Sequence, residues 1–159
     1  MTYPNGCHIC EVEIDPKTGE IAFCDYVVVE DVGTVLNPAL VEGQMHGGVA
    51  QGIGQALGEI LHFDPQGQLM TGSFLDYPMR VAADLPPFRI TTIAVPTAIN
   101  PLGAKGVGEA GTVGSLAATM NAVADALASA GVSEFEMPAT PYRVWQALQS
   151  LSLIHISEP

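Results

Sequence analysis

The chain has 159 residues, of which 48% are hydrophobic and 14% are charged, so it can bury a core and is not intrinsically disordered. Seventeen acidic against five basic residues give a net charge of −12, and no lysine or arginine cluster offers the positive surface that nucleic acid requires. No stretch supplies the roughly 18 consecutive apolar residues of a membrane span, and the N-terminus has neither a basic leader nor an apolar signal segment. We therefore expect roughly one domain in a cytoplasmic protein without a nucleic-acid partner.

The first third of the chain predicts a β-hairpin followed by a helix. His8 to Ile14 alternates in hydrophobicity, Asp15 to Gly19 has turn composition, and Glu20 to Glu30 is rich in β-branched and aromatic residues. Asn37-Pro38 then predicts a helix start, because asparagine caps free N–H groups and proline at the first helical position needs none. We expect this helix to end near Leu61.

The remaining two thirds predict further strands and helices without regular alternation. The successive segments are a turn at Asp64 to Gly67, a strand at Leu69 to Tyr77, a proline-rich connection at Asp84 to Pro87, a strand at Phe88 to Val95, an irregular segment to Gly111, and helices at Thr112 to Ala130 and Pro141 to Gln149. This order favours an α+β fold.

Three cysteines, Cys7, Cys10 and Cys24, are odd in number and carry no disulfide pattern. Cys7-x-x-Cys10 is spaced like half of a zinc site, but strand alternation sends the two side chains to opposite faces. We interpret the cysteines as small buried strand residues.

The last nine residues, Leu151 to Pro159, continue no pattern that precedes them. They match the in-frame translation of a transposase-type sequencing adapter residue for residue, so we exclude them from the fold. We expect a truncated coding sequence, with residues 1–150 as the partial domain and Met1 as an internal methionine of a longer subunit.

The predicted first helix is unusually rich in glycine, which lowers helix stability unless packing or a ligand requires it. An ordinary apolar face is predicted for Met45, Val49, Ile53, Ala56, Leu57 and Ile60. The opposite side carries a glycine stripe edged by glutamines: Gly43, Gly47, Gly54 and Gly58 with Gln44, Gln51 and Gln55. Such a stripe admits either a flat ligand or a second helix. His46 lies on the apolar side and is interpreted as a core histidine.

A second glycine-rich segment, Asn100 to Thr112, precedes the next predicted helix. Gly106-x-Gly108-x-x-Gly111 matches the dinucleotide fingerprint, although no strand runs directly into it. Glu109 is a candidate general base beside a bound ligand, or alternatively an acid favoured by the helix dipole.

Three motifs together resemble the molybdenum-binding large subunit of the xanthine dehydrogenase/aldehyde oxidase family, with its carbon monoxide dehydrogenase branch the most similar. They are VEGQMHGGVAQGIGQAL (Val41 to Leu57), TGSFLDYPM (Thr71 to Met79) and NPLGAKGVGEAGT (Asn100 to Thr112). The resemblance runs from about Tyr3 to Gln149 and implies the C-terminal part of the molybdenum-cofactor-binding domain of molybdenum hydroxylases.

The resemblance also implies roles for individual residues. Glu109 corresponds to the glutamate that deprotonates the metal-bound hydroxyl, and Gln51 and Gly52 correspond to the pair that contacts the pyranopterin. Lys105, Gly106, Val107 and Gly108 correspond to the loop whose backbone N–H groups meet the cofactor. The implied cofactor is molybdopterin, in its cytosine dinucleotide form, with molybdenum.

The implied reaction is the oxidative hydroxylation of a small molecule: carbon monoxide, an aldehyde or an N-heterocycle. Iron–sulfur clusters and FAD are expected on partner subunits, since the chain contains no cluster motif. The copper-binding cysteine loop of the carbon monoxide branch is not matched, so we expect the chain alone to be inactive.

Two other functions remain open from the sequence. A non-catalytic nucleotide-binding module would use the GVGEAG segment, Gly106 to Gly111. An assembly domain would dock through one face of the second long helix, which carries Val113, Leu116, Met120, Val123 and Leu127.

Overall fold

The computed structural model describes residues 2–154, and for residues 151–154 it describes the backbone alone. The elements in chain order are β1 (Asn5–Ile14), β2 (Ile21–Asp31), α1 (Pro38–Leu57), a short 3-10 turn (Ala82–Asp84), β3 (Arg89–Thr92), α2 (Ala110–Ser129) and α3 (Pro141–Ile154). The strands form one sheet in the order β1-β2-β3, with β1 antiparallel and β3 parallel to β2. This mixed sheet with helices confirms the α+β prediction.

The predicted hairpin is confirmed. Strand β1 pairs with β2 from Asn5↔Asp31 to Ile14↔Ile21, with a bulge between Glu11 and Val12. Even-numbered residues of β2 point into the core from Tyr26 onward, as the alternation of side chains along a strand requires.

Helix α1 begins as predicted and ends earlier. The Asn37 side chain accepts a hydrogen bond from the Leu40 N–H at 3.2 Å, and Pro38 occupies the first helical position. The N–H groups of Gly58 and Glu59 both donate to the Gly54 carbonyl, at 3.0 and 2.9 Å, which closes the helix at Leu57 rather than near Leu61.

The predicted strand at Leu69 to Tyr77 is wrong. Only an isolated bridge between Phe63 and Leu69 forms around the Asp64 to Gly67 turn. Beyond it, the Tyr77 N–H donates to the Ser73 carbonyl at 2.9 Å and the Ser73 hydroxyl donates to Asp76 at 2.6 Å, so local side-chain hydrogen bonds fold the segment into turns. The next predicted strand is present but shorter, at Arg89–Thr92.

The core lies between the sheet and helices α1 and α2. Its fully buried apolar side chains include Tyr26, Val28, Met45, Val49, Ile53, Val123, Leu127 and Val144. The predicted apolar face of α1 is confirmed up to Leu57, whereas Ile60 lies beyond the helix. His46 is half-buried, with its Nδ1 2.9 Å from the Glu42 carbonyl and its ring 5.8 Å from that of Phe88. It is a satisfied histidine, as predicted.

The glycines that admit a second helix are not those of the predicted stripe. A Cβ added to Gly48 or Gly52 would meet α2 backbone atoms at 3.0 Å or less, and one added to Gly111 would meet α1 backbone at 2.7 Å. Gly43 and Gly47 face open space. Gly48 and Gly52 are four residues apart, so they lie one turn above each other on the buried face of α1. The backbones of α1 and α2 are in contact at these two glycines.

The cysteine interpretation is wrong for two residues. Cys7 and Cys24 are exposed, and only Cys10 is half-buried against the core. Burial raises the pKa of the Cys10 thiol to about 11. No group of metal-ligating side chains occurs among residues 2–150, whose side chains the structure describes.

Helix α3 extends past the predicted end at Gln149 and includes the first four residues of the Leu151 to Pro159 segment. Residues 155–159 lie outside the described residues, so the assignment of that segment to an adapter stays a prediction. Within the described part of the chain, no helix is long and apolar enough to cross a membrane.

Candidate active site

The segment that carries Glu109 is anchored to the residues that follow β2. Gly33 and Ala104 form an isolated bridge, the Thr34 N–H donates to the Gly103 carbonyl at 3.0 Å, and the Lys105 N–H donates to the Val32 carbonyl at 2.9 Å. This pairing fixes the chain up to Lys105, and α2 takes over at Ala110. The four residues between them, 106–109, form a connection that we call the glutamate loop, in which Val107 is half-buried against the core and the other three residues are exposed.

Three backbone N–H groups of the glutamate loop, those of Gly106, Val107 and Gly108, are free. They donate to no protein acceptor among residues 2–154. A Cβ added to Gly106 or Gly108 would meet nothing within 4 Å, so a ligand has room to approach the backbone there. The Lys105 N–H, by contrast, is already bonded to Val32 and is not available to a ligand.

Glu109 immediately precedes α2 and makes no side-chain hydrogen bond to the helix end. Its side chain is exposed and lines a cavity of about 730 Å³ together with Gly106 and Gly108. Because Glu109 makes no capping hydrogen bond, its carboxylate is available to a ligand, whether or not it also interacts with the helix dipole. The absence of a strand running directly into this loop also agrees with the sequence, because β3 ends at Thr92.

The floor of this cavity holds a buried polar cluster that the sequence analysis missed. His8 Nε2 lies 3.2 Å from Glu30 Oε1 and His8 Nδ1 lies 3.1 Å from the Tyr26 hydroxyl. The side chains of His8 and Glu30 are only 3% and 6% exposed. Burial raises the pKa of the Tyr26 hydroxyl, so this group stays protonated at neutral pH.

The strand alternation contained the signal for this cluster. His8, Tyr26 and Glu30 all fall at inward positions of β1 and β2, where a polar side chain requires a partner. A Cβ at Gly6 would meet the Glu30 carboxylate at 2.2 Å, and one at Gly114 would meet the His8 ring at 2.4 Å. The two glycines therefore leave room for this hydrogen-bonded pair.

Gln51 and Gly52 lie where α1 contacts α2, and neither is hydrogen-bonded to residues 106–109 of the glutamate loop. Gln51 is exposed and its Oε1 accepts a hydrogen bond from the Thr112 hydroxyl at 3.3 Å. Gly52 is buried against the α2 backbone. A second cavity, of about 430 Å³, reaches from Gln44 to Val107 and Gly108, so the glutamate loop separates two cavities.

The alternative assembly face of α2 belongs to the core instead. Val123 and Leu127 are fully buried, and Leu116 and Met120 are half-buried. Only Val113 is exposed. The helix therefore offers no continuous apolar face for docking.

Comparison with known proteins defines the class to which this fold and loop belong. Residues 1–86 match the family described as a molybdopterin cofactor-binding domain. The chain is 40% identical over 153 residues to the carbon monoxide dehydrogenase large chain of Hydrogenophaga pseudoflava, covering 96% of this chain and 19% of that protein. It is 44% identical over 149 residues to the nicotine 6-hydroxylase large subunit of Paenarthrobacter nicotinovorans, covering 94% and 18%.

The solved structure of quinoline 2-oxidoreductase from Pseudomonas putida 86 superposes with a TM-score of 0.87 at 42% identity, covering 92% of this chain and 19% of that one. The chain thus belongs to the molybdopterin cofactor-binding domain family, in its xanthine dehydrogenase group. This confirms the resemblance drawn from the three motifs. The chain spans about a fifth of the length of the relatives it matches.

Proposed function

We propose that this chain is the C-terminal part of the large subunit of a molybdenum hydroxylase, in which Glu109 is the base of an oxidative hydroxylation. The observation that carries the proposal is the glutamate loop, where the unbonded carboxylate of Glu109 and the free N–H groups of Gly106 and Gly108 stand together at a cavity. The substrate is a small molecule such as carbon monoxide, an aldehyde or an N-heterocycle. The relatives include a carbon monoxide dehydrogenase and a nicotine hydroxylase, so this choice stays open.

The residues present fit a pterin cofactor with a phosphate-bearing tail. Free backbone N–H groups in a glycine segment ahead of a helix bind anionic oxygens, which suits a pyrophosphate in an otherwise acidic chain. We assign this role to Gly106, Val107 and Gly108. Lys105 precedes them as the anchored end of the loop, and Gln51 and Gly52 complete the cofactor-binding set at the α1–α2 junction.

When bound, molybdopterin, proposed here in its cytosine dinucleotide form with molybdenum, supplies the two-electron oxidation. Glu109 contributes a carboxylate that accepts the proton released in that oxidation. The loop backbone holds the cofactor, and Gln51 contributes an amide that both donates and accepts hydrogen bonds. Iron–sulfur clusters and FAD, which we place on partner subunits of a cytoplasmic complex, would accept the electrons.

The proposal is tested by Glu109→Gln in the complete enzyme that contains this chain. Glutamine keeps the size of the side chain and cannot accept the proton, so turnover should fall about 10²- to 10⁴-fold. Molybdenum per subunit, measured by elemental analysis, should stay near that of the unchanged enzyme. Gln51→Ala should show the opposite pattern: molybdenum per subunit should fall, whereas turnover per bound molybdenum should be kept.

Glu134→Gln is the matched control, because Glu134 is an exposed glutamate that does not line this cavity. It should leave both readouts unchanged. Turnover of Glu109→Gln within about threefold of the unchanged enzyme would refute the base assignment, since that loss is too small for a general base. An enzyme without molybdenum would favour the nucleotide-binding module instead.

A further inference from the structure

Asp31, the last residue of β2, joins three separate segments of the chain. Its Oδ1 accepts hydrogen bonds from the N–H groups of Gly33 at 2.9 Å and Val95 at 3.1 Å. Its other carboxylate oxygen, Oδ2, pairs with the Lys105 ammonium. One side chain therefore ties the end of β2 to the first residue before the glutamate loop.

The Asp31–Lys105 pair is largely shielded from water. The Asp31 side chain is 15% exposed and that of Lys105 is 11% exposed. By comparison, Arg89 of β3, which pairs with Asp25 of β2, is 67% exposed. Shielded pairs are less screened by salt than surface pairs, and removing one partner leaves the other charge unpaired. Lys105 is also one of only five basic residues in a chain with seventeen acidic ones.

The glutamate loop has few other restraints. Its three free N–H groups make no bond to the protein within the described residues, so its position depends on the anchor at Lys105, on the packing of Val107 against the core and on the start of α2. The Lys105 anchor consists of one backbone hydrogen bond to Val32 and the ion pair with Asp31. Loss of the ion pair therefore removes half of the hydrogen bonds that Lys105 itself makes.

We propose that Asp31 is a positioning residue for the reaction proposed above: acting through Lys105, it holds the glutamate loop so that Glu109 and the free N–H groups keep their spacing. This inference rests on the proposed function for its kinetic consequence. Its structural part, restraint of the loop by Asp31, stands on the contacts alone. The pKa of the Asp31 carboxyl agrees with this restraint: the hydrogen bonds from Lys105 and from the Gly33 N–H hold it below its ordinary value.

The experiment compares Asp31→Asn with Asp25→Asn in the complete enzyme. Asp31→Asn keeps one oxygen for the Gly33 and Val95 N–H groups and puts an NH2 group opposite Lys105, so it removes both the charge and the hydrogen-bond acceptor there. Asp25→Asn makes the same chemical change in the same strand, at the pair with Arg89, away from the loop. The first readout is amide hydrogen exchange of the peptides that cover residues 103–109, and the second is kcat and KM.

For Asp31→Asn we expect faster exchange confined to residues 103–109 and a fall in kcat of about 10- to 100-fold with KM within about twofold, as a displaced reacting group produces. Asp25→Asn should change neither readout. Lys105→Met should reproduce the Asp31→Asn effect, and the double variant should be no worse than either single variant, because both act through one contact.

Faster exchange spread over the whole sheet in Asp31→Asn would overturn the proposal, since it would show a general structural role. Additive losses in the double variant would overturn the route through Lys105. If the exchange result holds while Glu109→Gln leaves turnover intact, the proposed function fails and the restraint of the loop stands.

Discussion

Gly47 and Gly52 are both glycines inside α1, and a methyl group added to each would have opposite consequences. At Gly52 a Cβ would lie 1.9 Å from Ser115 Oγ and 2.8 Å from the Thr112 carbonyl oxygen, which belongs to the α2 backbone. At Gly47 it would meet nothing within 4 Å. The hydroxyl can rotate away, but the backbone of α2 cannot move without separating the two helices.

We therefore expect Gly52→Ala to lower the free energy of unfolding by about 1–3 kcal/mol, the usual cost of overpacking a core. Gly47→Ala should instead raise it by up to about 1 kcal/mol, because alanine is the better helix former at an exposed site. Chemical denaturation followed by circular dichroism measures both. Equal effects of the two substitutions would mean that α1 and α2 do not meet at Gly52.

Individual residues also show how much of the candidate site the sequence could predict. The motifs placed Glu109, Gly106 and Gly108 together in one loop, since neighbours in sequence stay neighbours in space. Periodicity alone could not tell which glycines meet α2, because the partner helix comes from more than fifty residues away. His8 and Glu30 were also missed, although each lies at a predictable inward position of its strand in the hairpin that the sequence predicted.

At the scale of elements, the β1–β2 turn and α3 depend on each other. Gly19 has φ = +75° and is buried, and a Cβ there would meet the Pro141 carbonyl oxygen at 2.0 Å and the Trp145 nitrogen at 2.7 Å. Gly67 in the Asp64 to Gly67 turn has φ = +83° and open space around it. The two glycines share a backbone conformation and differ in whether a helix lies against them.

Comparing alanine substitutions at Gly19 and Gly67 separates the cost of backbone strain from the cost of disturbing the contact with α3. Gly67→Ala should cost about 1–2 kcal/mol, the price of the left-handed conformation for a residue with a Cβ. Gly19→Ala should cost that amount plus about 1–3 kcal/mol for the contact with α3. The unfolding free energies of both variants give the difference, and costs that agree within error would show that α3 does not pack on the turn.

The elements that the sequence predicted well are those with strong local signals. The hairpin has alternation and a turn, and it forms as predicted, although β1 begins at Asn5 rather than His8; α1 has an asparagine cap followed by proline, and its predicted start is correct. The strand at Leu69 to Tyr77 was wrong because turn-forming side chains, Ser73 and Asp76, outweigh the apolar composition. The early end of α1 follows from Gly58, whose N–H closes the last helical turn.

At the scale of the whole molecule, the described residues expose many large apolar side chains, while the chain is acidic overall. Phe74 and Leu75, in the 70–81 segment, are 84% and 94% exposed. Other exposed large apolar side chains are Leu36, Leu40, Ile99 and Val113. A net charge of −12 opposes association between copies, whereas exposed apolar surface favours it.

We expect the isolated chain to bind a hydrophobic dye and to associate increasingly as salt rises from about 0.02 M to about 0.3 M, because screening weakens the repulsion between acidic copies. Substituting both Phe74 and Leu75 by serine should lower dye fluorescence and association without changing helix content, since neither side chain is part of the core. Light scattering and circular dichroism measure these quantities.

A chain that stays monomeric and dye-free at the higher salt concentration would show that its exposed apolar side chains do not drive association. Association that is unchanged by the serine substitutions would place the contact outside the 70–81 segment.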